Sequence, residues 1–485
     1  MTSDDAPAGR QHHHLTLAVL ATSALAYALS QTMVAPALPD IQHTLHTSTT
    51  SVTWVLTVYL LSASVATPIV GRLGDMFGKE RVLVYVLGAF TAGTLVCALS
   101  HSIGVLVAGR AIQGVAGAIF PLAFGIIRDE FPRERVGTGI GLISATFGIG
   151  GAAGLVLSGV IVDNLSYEWL FWLSVIVTLP AMLATHLFVP ESPVKSPARI
   201  DWGGAILLSA ALVCLLMGVS YGPRWGWGSA REVALFAAAA VFAVIWGRYE
   251  QRVREPMVDM RMMRERAVWT TNLTGLLVGF GMFGSFILIP QFVQMPAGAG
   301  YGFGATVTEA GLFLLPAAGV MLGAGPIAGM LGNRFGSRLP LVLGTLIAGA
   351  AFVLLAIAHD QPWEIYVSSA LMGIGIGFAF AAMANLIVDA VPQQQVGVAT
   401  GINSIMRTIG GSLGAQVTAS IVATHVIRGS RSPAESGFTE AFVLSALVLV
   451  LAFAAALAIP RRLHGSPEGE APPAGAALPE PVPTR

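Results

Sequence analysis

Two arginines lie inside long apolar stretches of this chain, where a charged side chain is costly. Arg110 and Arg407 both have mostly apolar neighbours in the sequence. At 1.5 Å per helical residue they lie about 10 Å and about 16 Å inside their stretches. A cation at such depth is a functional-site candidate, because it needs a polar partner or a water-filled cavity. We expect both arginines, with Gln113 and Asn403 beside them, to act in coupling or to line a cavity. For Arg110 the alternative is a side chain that extends to the outer interface of a membrane.

A short loop rich in glycine and charged residues follows the second apolar stretch. It reads, in order, Gly71, Arg72, Leu73, Gly74, Asp75, Met76, Phe77, Gly78, Lys79, Glu80 and Arg81. The glycines permit a tight turn and a close approach of helices. Asp75 is at the membrane edge, where its carboxylate could face a helix N-terminus or a neighbouring arginine. Because breaking such a contact can separate two helix arrangements, the loop is a candidate gate. The alternative is an ordinary basic loop.

Uncharged polar residues inside other apolar stretches complete the candidate cavity. They are Thr32, Tyr59, Asn272, Gln291, Gln294, Asn385 and Gln416. Each of them alone is also explained by a hydrogen bond between two helices. The carboxylates nearest to these stretches all lie at their ends: Asp40, Asp163, Glu309 and Asp389. A central proton-carrying acid is therefore not visible, and two central cations favour neutral or anionic small molecules over strongly cationic ones.

The apolar stretches are long enough to cross a lipid bilayer. Of the 485 residues 54% are hydrophobic and 11% are charged, whereas soluble domains carry roughly 25% charged residues. A spanning helix needs about 20 mostly apolar residues, and about 14 such runs occur here. The ten-residue alternation of a membrane β-barrel is not seen. The predicted helices are 15–36, 52–70, 82–100, 103–127, 136–162, 167–189, 202–221, 231–247, 268–294, 307–331, 339–358, 363–388, 397–425 and 438–460.

The loop charges set the expected orientation. With the N-terminus in the cytoplasm, most loop lysines and arginines are cytoplasmic, as the positive-inside rule requires. The arginines left outside are Arg224, Arg231, Arg428 and Arg431. Residues 1–14 and 461–485 then form cytoplasmic tails, and the second tail is expected to be disordered because it is rich in proline and glycine. We predict a multi-pass protein of the cell membrane with both termini in the cytoplasm.

The chain contains an internal repeat. The segment that starts at Gly71 recurs from Gly329, and the segment that starts at Phe131 recurs from Val391. Two parallel repeats with a binding site between them are typical of transporters. The predicted units are an N-terminal six-helix bundle at 15–190, an insertion of two helices at 191–267 and a C-terminal six-helix bundle at 268–460.

Two motifs resemble those of the major facilitator superfamily. The loop from Gly71 to Arg81 resembles the signature loop of that family. The family's fourth-helix motif is matched by Arg110, Gln113, Gly114 and Gly117. The resemblance implies that the loop acts in gating and that Arg110 acts in coupling.

The first and fifth predicted helices are similar to a narrower branch, the fourteen-helix drug:proton antiporters. Gly150, Gly154 and Gly159 fit the glycine-rich antiporter motif, although Leu155 stands where a proline is expected. Ser30 stands where the first-helix motif of this branch carries an aspartate. Glycines at these positions also permit close helix packing, so packing without a role in coupling is the alternative.

The resemblance covers residues 15–460 and implies two pseudo-symmetric six-helix bundles joined by two extra helices. It implies proton-driven export of small hydrophobic or amphipathic compounds, such as drugs and antibiotics, by alternating access. The implied partners are the lipid bilayer, a small-molecule substrate and protons. We expect a monomer without cofactor, metal centre or nucleic-acid partner.

Other functions share part of this pattern. An exporter of one metabolite, amino acid or siderophore has the same sequence features. A transport-inactive receptor or scaffold would be expected to have sensing domains or long structured loops, and the loops here are short. A membrane enzyme needs a catalytic cluster, and neither a nucleophile constellation nor a phosphate-binding loop is apparent. The tract His12–His14 is weak evidence for metal binding.

Overall fold

The computed structural model describes residues 13–192, 195, 200–296, 300–426 and 433–460. The predicted C-terminal tail and nearly all of the N-terminal tail lie outside these residues. Within them, 13 helices are long and apolar enough to cross a membrane. A further helix of 29 residues, Val396–Thr424, occupies the place of the remaining predicted span. The predicted all-helical membrane fold is therefore confirmed.

The first half of the chain crosses the membrane six times. Its helices are α1 (His13–Met33), α2 (Leu38–Thr44), α3 (Thr49–Phe77), α4 (Lys79–Ala98), α5 (Ile103–Gln113), α6 (Ile119–Glu130), α7 (Arg133–Asn164) and α8 (Glu168–Phe188). The prediction of one continuous helix at 103–127 is wrong in detail, because a 3₁₀ turn at Gly114–Ala118 separates α5 from α6. Two of its five residues are glycine, the weakest helix former after proline.

The insertion forms a helical hairpin. Its two long helices are α9 (Trp202–Trp225) and α10 (Ala230–Glu250), and the short α11 (Met260–Arg264) leads into the second half. The side chains of Asp201 and Ser229 cap the first turns of α9 and α10 by accepting hydrogen bonds from backbone N–H groups. The hairpin packs on α3 through Tyr221 and Trp54, whose ring centroids are 5.9 Å apart.

The second half also crosses the membrane six times. Its helices are α12 (Arg266–Val293), α13 (Val307–Leu312), α14 (Leu315–Phe335), α15 (Arg338–Ile357), α16 (Pro362–Ala390), α17 (Val396–Thr424) and α18 (Glu435–Leu457). The predicted helix 307–331 is interrupted between α13 and α14. Pro316 explains the break, because it has no N–H to continue the hydrogen-bond ladder and instead takes its favoured place in the first turn of α14.

The sequence repeat is also a repeat of contacts between the halves. Gly71 of α3 lies against Gly397 of α17, and Gly329 of α14 lies against Gly137 of α7. In each pair a methyl group on either glycine would overlap the carbonyl group of the other. Both contacts lie at the end of the molecule that carries the loop between α3 and α4. We call this end the loop end and the opposite end the far end. Glycine thus lets the two halves meet backbone to backbone at the loop end.

Candidate functional site

Asp75 is buried at the loop end, between the two halves. Its two carboxylate oxygens accept hydrogen bonds from the N–H groups of Gly397 and Val398, each at 3.2 Å. Because α17 begins at Val396, these N–H groups belong to its first turn and have no acceptor inside the helix. The carboxylate also lies at the positive end of the helix dipole. Of the two partners that the sequence suggested for Asp75, the structure places a helix N-terminus there.

Lys79 joins Asp75 to a second acid. Its ammonium group lies 3.5 Å from Asp75 Oδ1 and 2.8 Å from Asp129 Oδ2, and all three side chains are fully buried. Ser192 Oγ donates a further hydrogen bond to Asp129. The two acids and one lysine carry a net charge of about −1, which the N–H groups of α17 compensate. Withdrawal of α17 would remove those two donors from Asp75.

The other loop residues shape this contact. Gly78, between α3 and α4, has a φ of 109°, a conformation that favours glycine. Gly74 is buried and Arg72 is half-buried. Arg81 is 59% exposed and lies 3.8 Å from Glu191, and surface pairs of this kind contribute little. The structure therefore centres the predicted loop on Asp75 and Lys79.

Two more side chains hold the halves together at the loop end. Arg128 at the end of α6 donates hydrogen bonds to the carbonyl groups of Val388 and Val391, where α16 ends. A cation is favourable at that negative helix terminus. Asn333, the repeat counterpart of Asp75, donates from Nδ2 to the carbonyl oxygen of Glu134 at 2.6 Å. The loop end is thus closed by polar contacts to helix termini on both sides of the pseudo-symmetry.

Arg110 has no exposed surface, so its side chain does not extend to solvent. Its Nε donates to the carbonyl oxygen of Val55 at 3.1 Å, and Nη1 donates to Gln113 Oε1 at 2.9 Å. Gln113 in turn donates to Thr94 Oγ1 at 2.7 Å. The guanidinium lies over the ring of Tyr59, 3.9 Å from its centroid. Its Nη2 is buried and has no hydrogen-bond partner among the described residues, so two N–H donors of a permanent cation are left without an acceptor.

Arg407 forms a second arginine site, on α17 in the second half. Nη1 donates to Asn403 Oδ1 at 2.7 Å, and Nη2 donates to Ser404 Oγ at 3.3 Å. Asn403 also donates to Asn272 Oδ1 on α12 at 3.0 Å. The guanidinium lies 4.7 Å from the ring centroid of Phe380. Among the described residues, neither Arg407 nor Arg110 has a carboxylate within ion-pair distance, so both sites keep a net positive charge.

A row of aromatic rings connects the two arginines. Ring centroids are separated by 6.4 Å for Tyr59–Tyr27, 5.9 Å for Tyr27–Phe120, 5.5 Å for Phe120–Phe147 and 5.7 Å for Phe147–Phe380. The last pair crosses from α7 in the first half to α16 in the second. Each ring comes from a different helix, so no spacing in the sequence indicates the row. Two cations joined by this aromatic row suit a flat apolar molecule that carries hydrogen-bond acceptors.

Besides Asn272, two of the predicted cavity residues make hydrogen bonds between helices. Thr32 Oγ1 donates to the carbonyl oxygen of Gly150 at 3.2 Å, which ties α1 to α7. Asn385 Nδ2 lies 3.5 Å from the carbonyl oxygen of Gly137. Gly154 leaves room for Thr32, since an added Cβ would overlap its hydroxyl group. These contacts fit the structural interpretation of both residues.

The remaining polar candidates lie apart from the arginines' hydrogen-bond partners. Gln294 donates within its own helix, to the carbonyl oxygen of Pro290 at 2.8 Å. Gln291 is exposed and Gln416 is half-buried. Ser30, at the position of the family's aspartate, is 1% exposed, and its hydroxyl has no hydrogen-bond partner among the described residues.

The other motif glycines sit at close helix contacts. An added Cβ would lie 2.5 Å from Ser62 at Gly114, 2.6 Å from Thr67 at Gly117 and 2.7 Å from Thr308 at Gly159. The first two contacts bring the 3₁₀ turn onto α3. The third brings α7 onto the start of α13, at the far end. Their packing role is evident from these approaches, and a role in coupling stays a prediction.

Comparison with known proteins supports the fold. The family model described as Major Facilitator Superfamily matches residues 20–415 and again 302–482. By structure, the chain is similar to the human organic anion transporter MFSD10 (TETRAN), with a TM-score of 0.65 and 15% sequence identity. That similarity covers 92% of this chain and 100% of the other. At this identity the likeness establishes the fold alone.

Two relatives in sequence cover most of the chain. It is 31% identical over 415 residues to the tetracenomycin C resistance and export protein of Streptomyces glaucescens, which covers 85% of this chain and 76% of that protein. It is 30% identical over 418 residues to multidrug resistance protein 3 of Bacillus subtilis (strain 168), with coverages of 84% and 79%.

Proposed function

This chain belongs to the major facilitator superfamily, and on that basis we propose that it exports small hydrophobic or amphipathic compounds by proton antiport with alternating access. Its fold is that of a multi-pass membrane transporter. Two relatives named for resistance to, or export of, drugs and antibiotics support the substrate class.

The contact of Asp75 with α17 is the observation that carries the mechanism. Alternating access needs two halves that separate at one end while they meet at the other. At the loop end the halves are held by hydrogen bonds to helix termini, which can break without unfolding either bundle. At the far end an exposed hydrogen bond of 3.1 Å joins Thr308 of α13 to Asp163 of α7. The two ends therefore offer the alternative closures that the mechanism requires.

Proton coupling follows from the charge at the loop end. While α17 is docked, its N–H groups compensate the excess negative charge of Asp75 and Asp129 around Lys79. When α17 withdraws, the Asp75 carboxylate exchanges those donors for water, so opening of the loop end changes the surroundings on which its protonation depends. Export by proton antiport requires that a proton is released to the cytoplasm while the loop end is open and is taken up from the other side while it is closed.

The substrates that fit best are neutral or anionic and carry an aromatic or planar apolar part. Arg110 and Arg407 supply permanent positive charge, and the described residues place no carboxylate beside them. A multiply charged organic cation would meet these charges without compensation. The aromatic row between them offers stacking surface to a planar molecule.

We further propose that the loop end faces the cytoplasm, with both termini on that side of the cell membrane. The positive loop charges support this orientation. Action as a monomer is part of the same proposal.

Transport by purified protein in liposomes tests the proposal. We would impose a pH gradient of either sign and follow an anionic, a neutral and a dicationic dye. Asp75→Asn is the test variant, and Glu191→Gln is the matched control because it makes the same chemical change in a surface pair. We expect the pH gradient to drive movement of the anionic and the neutral dye. We expect this movement to be lost in Asp75→Asn and kept in Glu191→Gln. Movement that ignores the gradient, preference for the dication or no movement of any dye would contradict the proposal.

A further inference from the structure

A histidine and two carboxylates converge at the far end of the second half. α15 starts near the loop end and finishes at Ile357, so His359 and Asp360 follow it at the far end. Glu435 is the first residue of α18. The ligand atoms of the three side chains all lie within 4.8 Å of one another. Because Asp360 and Glu435 are distant in sequence, no ligand spacing could indicate this cluster.

His359 is held in the orientation that metal-binding histidines adopt. The residue is 8% exposed, and its Nδ1 lies 2.7 Å from the carbonyl oxygen of Leu355. A carbonyl only accepts, so Nδ1 carries the proton and Nε2 of the neutral ring presents a lone pair. Packing against Phe292, at a centroid distance of 5.2 Å and an angle of 85°, fixes the ring. A backbone carbonyl as partner of the second ring nitrogen is the usual support of a histidine ligand.

The lone pair of His359 faces a carboxylate. Nε2 lies 2.9 Å from Glu435 Oε1, and this contact is repulsive for a neutral ring. Either a second proton or a cation between the two atoms relieves it. Asp360 brings a third ligand atom to the same place, which a bound cation can use and a proton shared by His359 and Glu435 does not need. Two carboxylates also match the charge of a divalent ion.

We propose that His359, Asp360 and Glu435 bind a divalent transition-metal cation such as Zn²⁺. One imidazole nitrogen, two carboxylate oxygens and a water complete the tetrahedral shell that zinc prefers. Ligand atoms in such a shell are about 3.4 Å apart, so the His359–Glu435 contact needs to open only slightly. The ion would join α15 to α18 at the end that we assign to the extracellular side. The site is independent of the proposed export function.

The same chain supplies a matched comparison. His425 has the same arrangement, with Nδ1 2.9 Å from the carbonyl oxygen of Ile421 and Nε2 3.3 Å from Glu440. Among the described residues this pair does not belong to a three-ligand group. If both histidine–glutamate pairs only share a proton, replacing His359 or His425 should have the same effect on metal binding. If His359 belongs to a metal site, only its replacement should reduce metal binding.

Metal binding to the purified full chain, prepared without a histidine tag, tests the proposal. Zn²⁺ is measured by equilibrium dialysis, and Co²⁺ by the visible absorption of low-coordinate cobalt. The variants are Asp360→Asn, His359→Asn and the control His425→Asn. Asp360 is exposed, so its variant keeps the histidine–glutamate contact and is not expected to disturb folding. Binding by the histidines of the N-terminal tail is common to all four proteins and cancels in the comparison.

We expect the wild type and His425→Asn to bind one more equivalent of Zn²⁺ than Asp360→Asn and His359→Asn. Loss of a direct ligand should weaken binding at least about tenfold, the lower bound for loss of a mere supporting group. Zn²⁺ should also raise the thermal unfolding midpoint of the wild type more than that of Asp360→Asn, because the ion binds the folded state. Equal binding by the wild type and Asp360→Asn, or no binding by either, would overturn the proposal.

Discussion

Replacing Asp75 by asparagine should open the loop end. The carboxylate accepts hydrogen bonds from Gly397 and Val398 through two oxygens, whereas an amide offers one oxygen and turns an NH₂ group toward the other donor. One charge-assisted hydrogen bond is therefore lost. Such a bond contributes about 1.5–3 kcal/mol, and since about 1.4 kcal/mol is a factor of ten, the ratio of open to closed molecules should rise about 10- to 150-fold.

A distance measurement between the halves reads out this ratio. Exposed side chains near the loop end accept labels: Tyr85 on α4 and Phe335 on α14 are 70% and 59% exposed. Both would be replaced by cysteine after the native Cys97 and Cys214, which are free thiols, are changed to alanine. Pulsed EPR or single-molecule fluorescence then gives the distance distribution in nanodiscs.

The control is Glu191→Gln, since that carboxylate pairs only loosely with Arg81 at the surface. It should leave the distance distribution as in the wild type. A long-distance population that grows in Asp75→Asn alone is the expected result. An unchanged distribution in Asp75→Asn, or an equal change in both variants, would refute the assignment of Asp75 as the residue that closes the loop end.

Four further substitutions test other parts of the structure. Asp129→Asn removes the nearer carboxylate, at 2.8 Å, from the buried Lys79, so the unfolding midpoint in detergent should fall, because a charge-assisted hydrogen bond that contributes about 1.5–3 kcal/mol is weakened; an unchanged midpoint would contradict this. Arg407→Lys keeps the charge but loses the fork of hydrogen bonds, so a higher KM for anionic dyes is expected in flux assays, with normal protein yield. Gly410→Val would overlap the backbone of α12 and should destabilise the protein by about 1–3 kcal/mol. Gly319→Ala, with nothing within 4 Å of the new methyl group, should be neutral or stabilising; equal stability of the two glycine variants would argue against the tight α12–α17 contact.

The sequence predicted the features that depend on periodicity and apolar length. Spans of about 20 apolar residues determine where helices cross a bilayer, and the repeat indicated which helices are equivalent. Neighbours one turn apart were also visible, such as Asn403 before Arg407, because the helical period places them on one face. The predicted helix 397–425 corresponds to the 29 residues of α17, despite their polar content.

Contacts between helices could not be predicted from these sequence patterns. Asp129 pairs with Lys79, and Phe147 meets Phe380 across the halves, only because each helix has a particular rotation and height in the bundle. A single sequence does not encode these parameters in any local pattern. The break before Pro316 was not predicted, although proline chemistry explains it. The cluster around His359 was missed because it, too, depends on how the helices pack: His359 and Asp360 follow α15, whereas Glu435 starts α18.

Proton movement on addition of a substrate tests the central claim most directly. Purified protein would be reconstituted in liposomes that contain a fluorescent pH indicator, with no initial gradient, and a neutral or anionic amphipathic compound would be added outside. Proton antiport predicts that protons move against the direction of the compound, with a rate that saturates with its concentration and is lost in Asp75→Asn. Uptake of the compound without any change in internal pH would show that transport is not coupled to protons and would contradict the account.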